Sequence, residues 1–316
     1  MNTTKSRGVV GAIALVGLLV SGPARADNME GLRDVMSSVV SVLPRTAPGQ
    51  ANKEEPEGSG VVIFEGRHIL TARHVLTNAQ EILIRTFDGV LHQAQVRGQD
   101  PATDLALLEI TAELKPIDLG DDPKIGEEAC AIGNAFGLGL SLTCGLVSAV
   151  NRTGTGFNPV EDFVQTDAAV NPGSSGGALV NKYGRLIGVL SAIFTKSADA
   201  NIGVNFAVST TLARRVATDL RAGKKVKWNF GGAGLGVIPQ RGGLGRLGAE
   251  ILQLRPGSAA EKAGLKPGDI IRYVDERRIR KPRDFRSAMA RLLPGDEVEI
   301  KFERDNEEER VTLTAQ

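Results

Sequence analysis

The 316-residue chain carries 38 basic and 37 acidic side chains, 41% hydrophobic residues, 38 glycines and only 4% aromatics. That is enough chain for two ordinary domains; the apolar content excludes a disordered polymer, and the balanced charge gives no electrostatic reason for a nucleic-acid partner. Two cysteines and three histidines are too few for a disulfide framework or a structural zinc cluster, so no metal or cofactor is expected and the chemistry falls to ordinary side chains.

Lys5 and Arg7 precede an apolar run from Gly8 to Val20, which ends in small residues and Ala24-Arg25-Ala26. The run is shorter than the about 20 residues that span a bilayer, and its ending is the pattern of a cleavable secretory signal. Residues 1–26 are therefore expected to be removed, so that the mature chain starts at Asp27 and works outside the cytoplasm; an uncleaved anchor is the alternative. The leader holds three bases and no acids, residues 27–229 hold 19 bases against 23 acids, and residues 230–316 hold 16 against 14. A basic leader and two modules of opposite sign are the expected organisation.

From about residue 36 to 208 the chain reads as short β-type runs between glycine-rich turns: VVSVL, GVVIF, EILIRTF, DLALLEI, ACAIG, GLVSAV, LIGVLSAI and GVNFAV. Many short strands at close spacing predict an antiparallel barrel or sandwich. The polar stretch TAPGQANKEEPEG reads as a solvated loop. A helix follows the strands, with Ser209 as N-cap, Leu212, Val216 and Leu220 stacked four apart, and Gly223 as its stop. Beyond it, Ser258 and Glu261 form a capping-box pattern for a short helix ending at Gly264. Phe285, Met289 and Leu293 mark an amphipathic helix that stops before Pro294. With the strands AEILQL, DIIRYV, EVEIKFE and RVTLTA, these make a small α+β domain.

Three segments carry candidate chemistry: LTARHV with His74, DPATDLALLEI with Asp104, and DAAVNPGSSGGALV with Ser175. A serine hydroxyl becomes a nucleophile when a neutral imidazole takes its proton, and a carboxylate behind the ring fixes its tautomer and stabilises its cation. The glycines around Ser175 allow a tight loop whose Gly173 and Ser175 N–H groups converge on an oxyanion. His68 and His92 lack such a context and read as structural.

These segments resemble the HtrA (high-temperature-requirement, or Deg) family of trypsin-like serine endopeptidases, most specifically in the run QTDAAVNPGSSGGAL. The resemblance implies a mainly β fold of two perpendicular six-stranded barrels, with His74 and Asp104 from the first and Ser175 from the second. Ser174 stands where the family usually has asparagine, and Arg73 where it has a small residue. Six residues before Ser175, where trypsin-like enzymes that cut after basic residues place an acid, this chain has Ala169. By resemblance the specificity pocket is lined by Ala169, Val170, Ile202 and Val204. An aliphatic lining offers no partner for a charge, so cleavage after Val, Ile, Ala or similar residues is expected; packing of Val170 and Val204 in the barrel core is the competing reading.

The segment Gly234 to Val237, with RPGSAAEKAGLKPGDIIRYVDERRI after it, resembles a PDZ domain. Its implied carboxylate-binding residues are Leu235, Gly236 and Val237, and the strand edge beside them can accept a peptide C-terminus. Phe285 and Met289 either face the ligand's last side chain or pack the domain core. The implied boundaries are a protease domain at 27–222, a linker at 223–233 and a PDZ domain at 234–316. The basic cluster RYVDERRIRKPRDFR reads mainly as a solvated face. The resemblance further implies unfolded or misfolded polypeptides as partners, a periplasmic location, a homotrimer or multiple of trimers, and a regulatory role for Arg152, which follows the strand GLVSAV. The mature start DNMEGLRDVM lacks the aromatics that family trimers often use. Cys130 and Cys144 are either bridged or two buried thiols, an oxidising compartment permitting the bridge.

Overall fold

The runs rich in valine, isoleucine and leucine pair antiparallel and close on themselves twice. The computed structural model describes residues 31–47, 57–193, 203–228, 230–236 and 247–316. The expected leader, most of the polar loop before Gly58, Ile202 and Val237 lie outside them. The first barrel comprises β1 (Val39–Arg45), β2 (Gly58–Ile63), β3 (His68–Ala72), β4 (Glu81–Arg85), β5 (Leu91–Asp100) and β6 (Leu105–Ile110). The second comprises β7 (Glu128–Gly133), β8 (Ser141–Arg152), β9 (Phe163–Thr166), β10 (Ala178–Asn181), β11 (Leu186–Ile193) and β12 (Asn205–Ser209). The order β1-β2-β3-β6-β5-β4 recurs as β7-β8-β9-β12-β11-β10, so both barrels share one topology, and closure leaves neither with a free edge.

One core runs through both barrels. Val61, Leu70, Leu105 and Leu107 from the first meet Ile132, Phe163, Val180 and Val189 from the second. Helix α1 (Thr210–Arg221) follows β12 and adds Leu212, Val216 and Leu220 to the same cluster. It begins as the sequence predicts, with Ser209 Oγ accepting the Leu212 N–H at 3.3 Å, and Gly223 takes a φ of +69° just beyond its end. Gly98 on β5 lies so close to Leu220 that a Cβ there would come within 2.9 Å of it. The helix that leaves the second barrel therefore packs back on the first.

Cys130 and Cys144 are directly opposite on β7 and β8 and form a disulfide, which decides the alternative that the sequence leaves open.

The C-terminal domain is a sheet in the order β13 (Ala233–Gly236), β14 (Ala249–Leu254), β15 (Ile270–Val274), β17 (Glu297–Arg304), β18 (Glu307–Thr314), with β16 (Arg277–Arg278) paired to β15. Helices α2 (Ala259–Lys262) and α3 (Pro282–Ala290) complete it. Ser258 Oγ caps α2 by accepting the Glu261 N–H at 3.3 Å, while Glu261 reaches back to the Gly257 N–H at 2.6 Å, one residue earlier than in the standard reciprocal box. Helix α3 ends at Ala290, before Leu293, and the Leu292 carbonyl instead accepts Arg215 Nε from the protease side at 2.9 Å.

The two units are joined by packing and by charge. Phe230 packs against both the barrel core and the C-terminal core, and Trp228, the chain's one tryptophan, stacks on it with ring centroids 6.4 Å apart. Asp162, just before β9, is 1% exposed. It accepts Arg277 Nη2 at 2.6 Å, Ser287 Oγ at 3.1 Å and Ser209 Oγ at 2.6 Å, and lies 3.3 Å from Arg291 Nε. Burial alone would raise its pKa, but Arg277 and Arg291 outweigh that and hold the carboxyl below the usual aspartate value. A carboxyl with a depressed folded pKa contributes stability above the unfolded value and loses it as pH falls through the folded one. Removing one partner of a buried pair costs about 3–5 kcal/mol. Asp162→Asn is thus expected to weaken docking at neutral pH, and in the wild type docking should survive until pH drops below the ordinary carboxylate range. Trp228 fluorescence during acid and urea titrations checks both; an unchanged variant would remove Asp162 as the docking charge.

Candidate active site

His74 sits in a 3₁₀ turn, Arg73–Leu76, entered directly from β3. Asp104 precedes β6, presented by a turn in which Asp100 Oδ2 accepts the Thr103 N–H at 3.0 Å and Thr103 Oγ1 at 2.6 Å. Its φ of +58° is left-handed, a conformation that aspartate tolerates better than most side chains. The adjacency of β3 and β6 brings the two residues together. The Asp104 carbonyl accepts the Arg73 N–H at 2.7 Å, its Oδ1 accepts the His74 N–H at 3.0 Å, and its Oδ2 lies 2.5 Å from His74 Nδ1. A carboxylate at that nitrogen keeps the proton on Nδ1 and makes Nε2 the acceptor of the neutral ring. The imidazole is 36% exposed and the carboxylate 19%, so the pair opens onto solvent at the histidine end.

Ser175 is supplied by the second barrel, on the loop between β9 and β10. The loop is tight: Ser174 N–H donates to the Asn171 carbonyl, Gly177 N–H to the Ser174 carbonyl, both at 2.9 Å, and Gly176 N–H to the Leu190 carbonyl at 2.7 Å. Gly176 has a φ of +84°, and a Cβ there would lie 2.2 Å from the Ser59 carbonyl and 2.8 Å from Ala72 N, two residues before His74. Glycine at 176 is what lets the serine loop approach the histidine strand. Arg73 and Ser174, the two unusual residues, leave this arrangement in place.

The expected pocket residues occupy different settings. Ala169 is exposed and its carbonyl accepts Thr143 Oγ1 at 2.6 Å. Val170 is 2% exposed within the second-barrel core, and Val204 is partly buried against the shared core. Asn205, which the sequence reading passes over, is fully buried and donates from Nδ2 to the Ala168 carbonyl at 2.8 Å. An asparagine inside a β run was its one signal.

Arg152 ends β8 and donates from Nε to Gln165 Oε1 at 3.0 Å. The next residue reaches the C-terminal domain, Thr153 Oγ1 donating to Asp284 Oδ1 on α3 at 2.7 Å. Glu161 orders the loop between them by accepting the N–H groups of Thr155, Gly156, Phe157 and Asn158. Burial would raise its pKa, yet the Thr155 hydroxyl and these N–H groups hold it below the usual glutamate value. In the C-terminal domain Leu235 and Gly236 lie on β13, opposite Ile251 and Glu250, at the end of the sheet. Phe285 and Met289 are 0% and 6% exposed in the domain core; of the two readings of these residues, the structure supports packing. His68 lies 3.8 Å from Glu65 at the start of β3, away from Asp104. Among the described residues no group of acidic, histidine or cysteine side chains could hold a metal ion, and no helix is long and apolar enough to cross a membrane.

Residues 58–189 match the trypsin-like peptidase domain and residues 201–314 the PDZ domain. The chain is 38% identical over 284 residues to a probable periplasmic serine endoprotease, DegP-like, of Halomonas elongata, covering 86% of this chain and 59% of that relative. The chain thus spans about three fifths of the length of that relative. Among solved structures it is similar to the HtrA-type protease AlgW with tripeptide, at 33% identity and a TM-score of 0.66, over 91% of this chain and 96% of that one. The serine endoprotease from Yersinia pestis follows at 30% identity and a TM-score of 0.59, over 91% and 96%. With twin six-stranded barrels, a half-buried carboxylate behind His74 and a PDZ sheet, the chain belongs to the HtrA family of trypsin-like serine proteases and carries one PDZ domain.

Proposed function

We propose that this chain is a periplasmic serine endopeptidase that degrades unfolded or damaged envelope proteins through Ser175, His74 and Asp104. The observation that carries the reading is the 2.5 Å contact of Asp104 with His74 Nδ1, set against a glycine loop that bears Ser175. In this mechanism His74 Nε2 takes the Ser175 proton as Oγ attacks the scissile carbonyl carbon. The Gly173 and Ser175 N–H groups stabilise the oxyanion, and the His74 cation, stabilised by Asp104, then protonates the departing amine. Water repeats the sequence to release the acyl group. The mature protein should digest an unfolded protein, and Ser175→Ala should lower the rate about a thousandfold or more. Wild-type protein that digests nothing, with or without PDZ peptides, would favour a peptide-binding chaperone instead.

Ala169, Val170, Ile202 and Val204 form the specificity wall in this reading, with no carboxylate among them. Cleavage-site profiling on an unfolded substrate should show Val, Ile and Ala before the cut bond; a preference for Lys or Arg would overturn the assignment.

Leu235, Gly236 and Val237 take peptide C-termini at the end of the PDZ sheet. The structural likeness to AlgW, solved with a tripeptide and a decapeptide, favours a second reading in which such peptides switch on cleavage of one envelope substrate. Arg152, next to the Thr153 contact with the PDZ domain, transmits occupancy in that reading, within a homotrimer or multiple of trimers. Arg152→Ala should cut stimulation by an added PDZ peptide at least about fivefold while PDZ binding persists; full stimulation in the variant would remove the role.

A further inference from the structure

Ser59 belongs to β2 of the first barrel, yet its hydroxyl and its backbone N–H bond across to the second. It is fully buried. Its Oγ donates to the Gly173 carbonyl at 2.7 Å and accepts the Asn134 N–H at 2.8 Å. Its backbone N–H donates to the Ser175 carbonyl at 2.8 Å, and its own carbonyl accepts Thr71 Oγ1 at 2.6 Å. One residue therefore holds the carbonyls of Gly173 and Ser175, and with them the peptide plane that follows each assigned hole donor.

In a trans peptide the carbonyl and the following N–H point in opposite directions, so a carbonyl's partner sets where the next N–H faces. The Pro172 carbonyl accepts the Phe136 N–H at 2.7 Å, the Gly173 carbonyl accepts the Ser59 hydroxyl, and the Ser174 carbonyl accepts the Gly177 N–H at 2.9 Å. Three successive peptide planes are held this way. Gly173, with a φ of +93° and no Cβ, is the joint about which they turn most easily. The bond at that joint is the one of the three that comes from a side chain and from the other barrel. Asn134 is braced in turn: its Oδ1 accepts the Gly139 N–H at 2.7 Å, its Nδ2 donates to Glu57 Oε2 at 2.6 Å, and Glu57 pairs with Arg85 at 3.1 Å. The loop that offers the Phe136 N–H is thus also tied to the first barrel.

The geometry points to Ser59, braced by Asn134 and Glu57, as a positioning residue that keeps the 172–174 peptide planes turned for oxyanion binding. The inference rests on the endopeptidase reading above. Losing a hole donor outright costs 10²–10³ in rate, and a displaced loop should cost less. In the full mature chain, Ser59→Ala is expected to lower kcat per folded molecule by about tenfold to a hundredfold, with KM within about threefold of wild type. Folded protein is counted by near-ultraviolet circular dichroism. A peptide boronate, whose adduct with Ser175 mimics the tetrahedral intermediate, should lose affinity by a similar factor, while a cleavage-product peptide should bind unchanged. A purely structural serine would not separate these two ligands. If kcat per folded molecule stays within twofold, or boronate and product weaken together, the positioning role is overturned. Should Ser59→Ala not fold, Glu57→Ala carries the test: about a threefold or greater loss of kcat and of boronate affinity is expected, and no change in either overturns the proposal. A wild-type chain without activity removes the endopeptidase reading and the positioning role falls with it; an active wild type with unaffected variants removes the positioning role alone.

Discussion

The seam between the two barrels is the constraint on which the rest depends. His74 and Asp104 hang from one barrel and Ser175 from the other, so the three can meet as the proposed triad only while the shared core keeps the barrels in register. Leu70, Leu105 and Leu107 pack there against Ile132, Phe163 and Val189, and each fully buried side chain of this kind contributes about 1.5–3 kcal/mol. Apolar packing has little directionality, however. Orientation across the seam comes from polar contacts such as the Ser59 N–H to the Ser175 carbonyl and from the return of α1 onto β5 and β6. Packing energy holds the barrels together, and a small number of buried hydrogen bonds sets how they meet.

The PDZ domain is attached by a similar division of labour. Phe230 and Ala290 bring apolar surface to the barrel core, while Asp162 and its arginines specify the docking geometry. A buried ion cluster is weak evidence for added stability because desolvation offsets much of the attraction. Its consequence here is directional: the arginines must sit where the carboxylate is. Glu161 and Asp162 are adjacent in sequence and divide two tasks, the first ordering the loop after Arg152 and the second anchoring the PDZ domain. Both immediately precede β9, the strand that leads into the loop bearing Ser175.

Eight β runs were legible as uninterrupted apolar or alternating stretches, but the barrels contain twelve strands. Strand β5, LHQAQVRGQD, shows mostly exposed or half-exposed residues, so neither alternation nor hydrophobicity marks it. Strands β3 and β10 are short and lie within segments whose histidine and glycines draw attention to chemistry, and β9 is four residues long. The caps at Ser209 and Ser258 were legible because a hydroxyl bonding an N–H three residues on is a local event. Helix α3 stops at Ala290, short of Leu293, and the Leu292 carbonyl beyond it accepts Arg215, 77 positions away.

The sequence alone determined what depends on neighbours along the chain: strand-forming runs, helix starts, the glycine loop around Ser175, and the family pattern that singles out His74, Asp104 and Ser175. Tertiary structure decided what depends on residues distant in sequence. Cys130 meets Cys144 because β7 and β8 pair in that register, Phe285 and Met289 turn inward because the PDZ core needs their volume, and Asp162 finds Arg277 and Arg291 only after both domains have folded. Ser59 is the sharpest case. A serine between two glycines in a valine-rich strand carries no local signature, and its partners, Asn134 and Gly173, lie 75 and 114 positions further on. A hydrogen bond has no sequence pattern when barrel closure chooses its two ends.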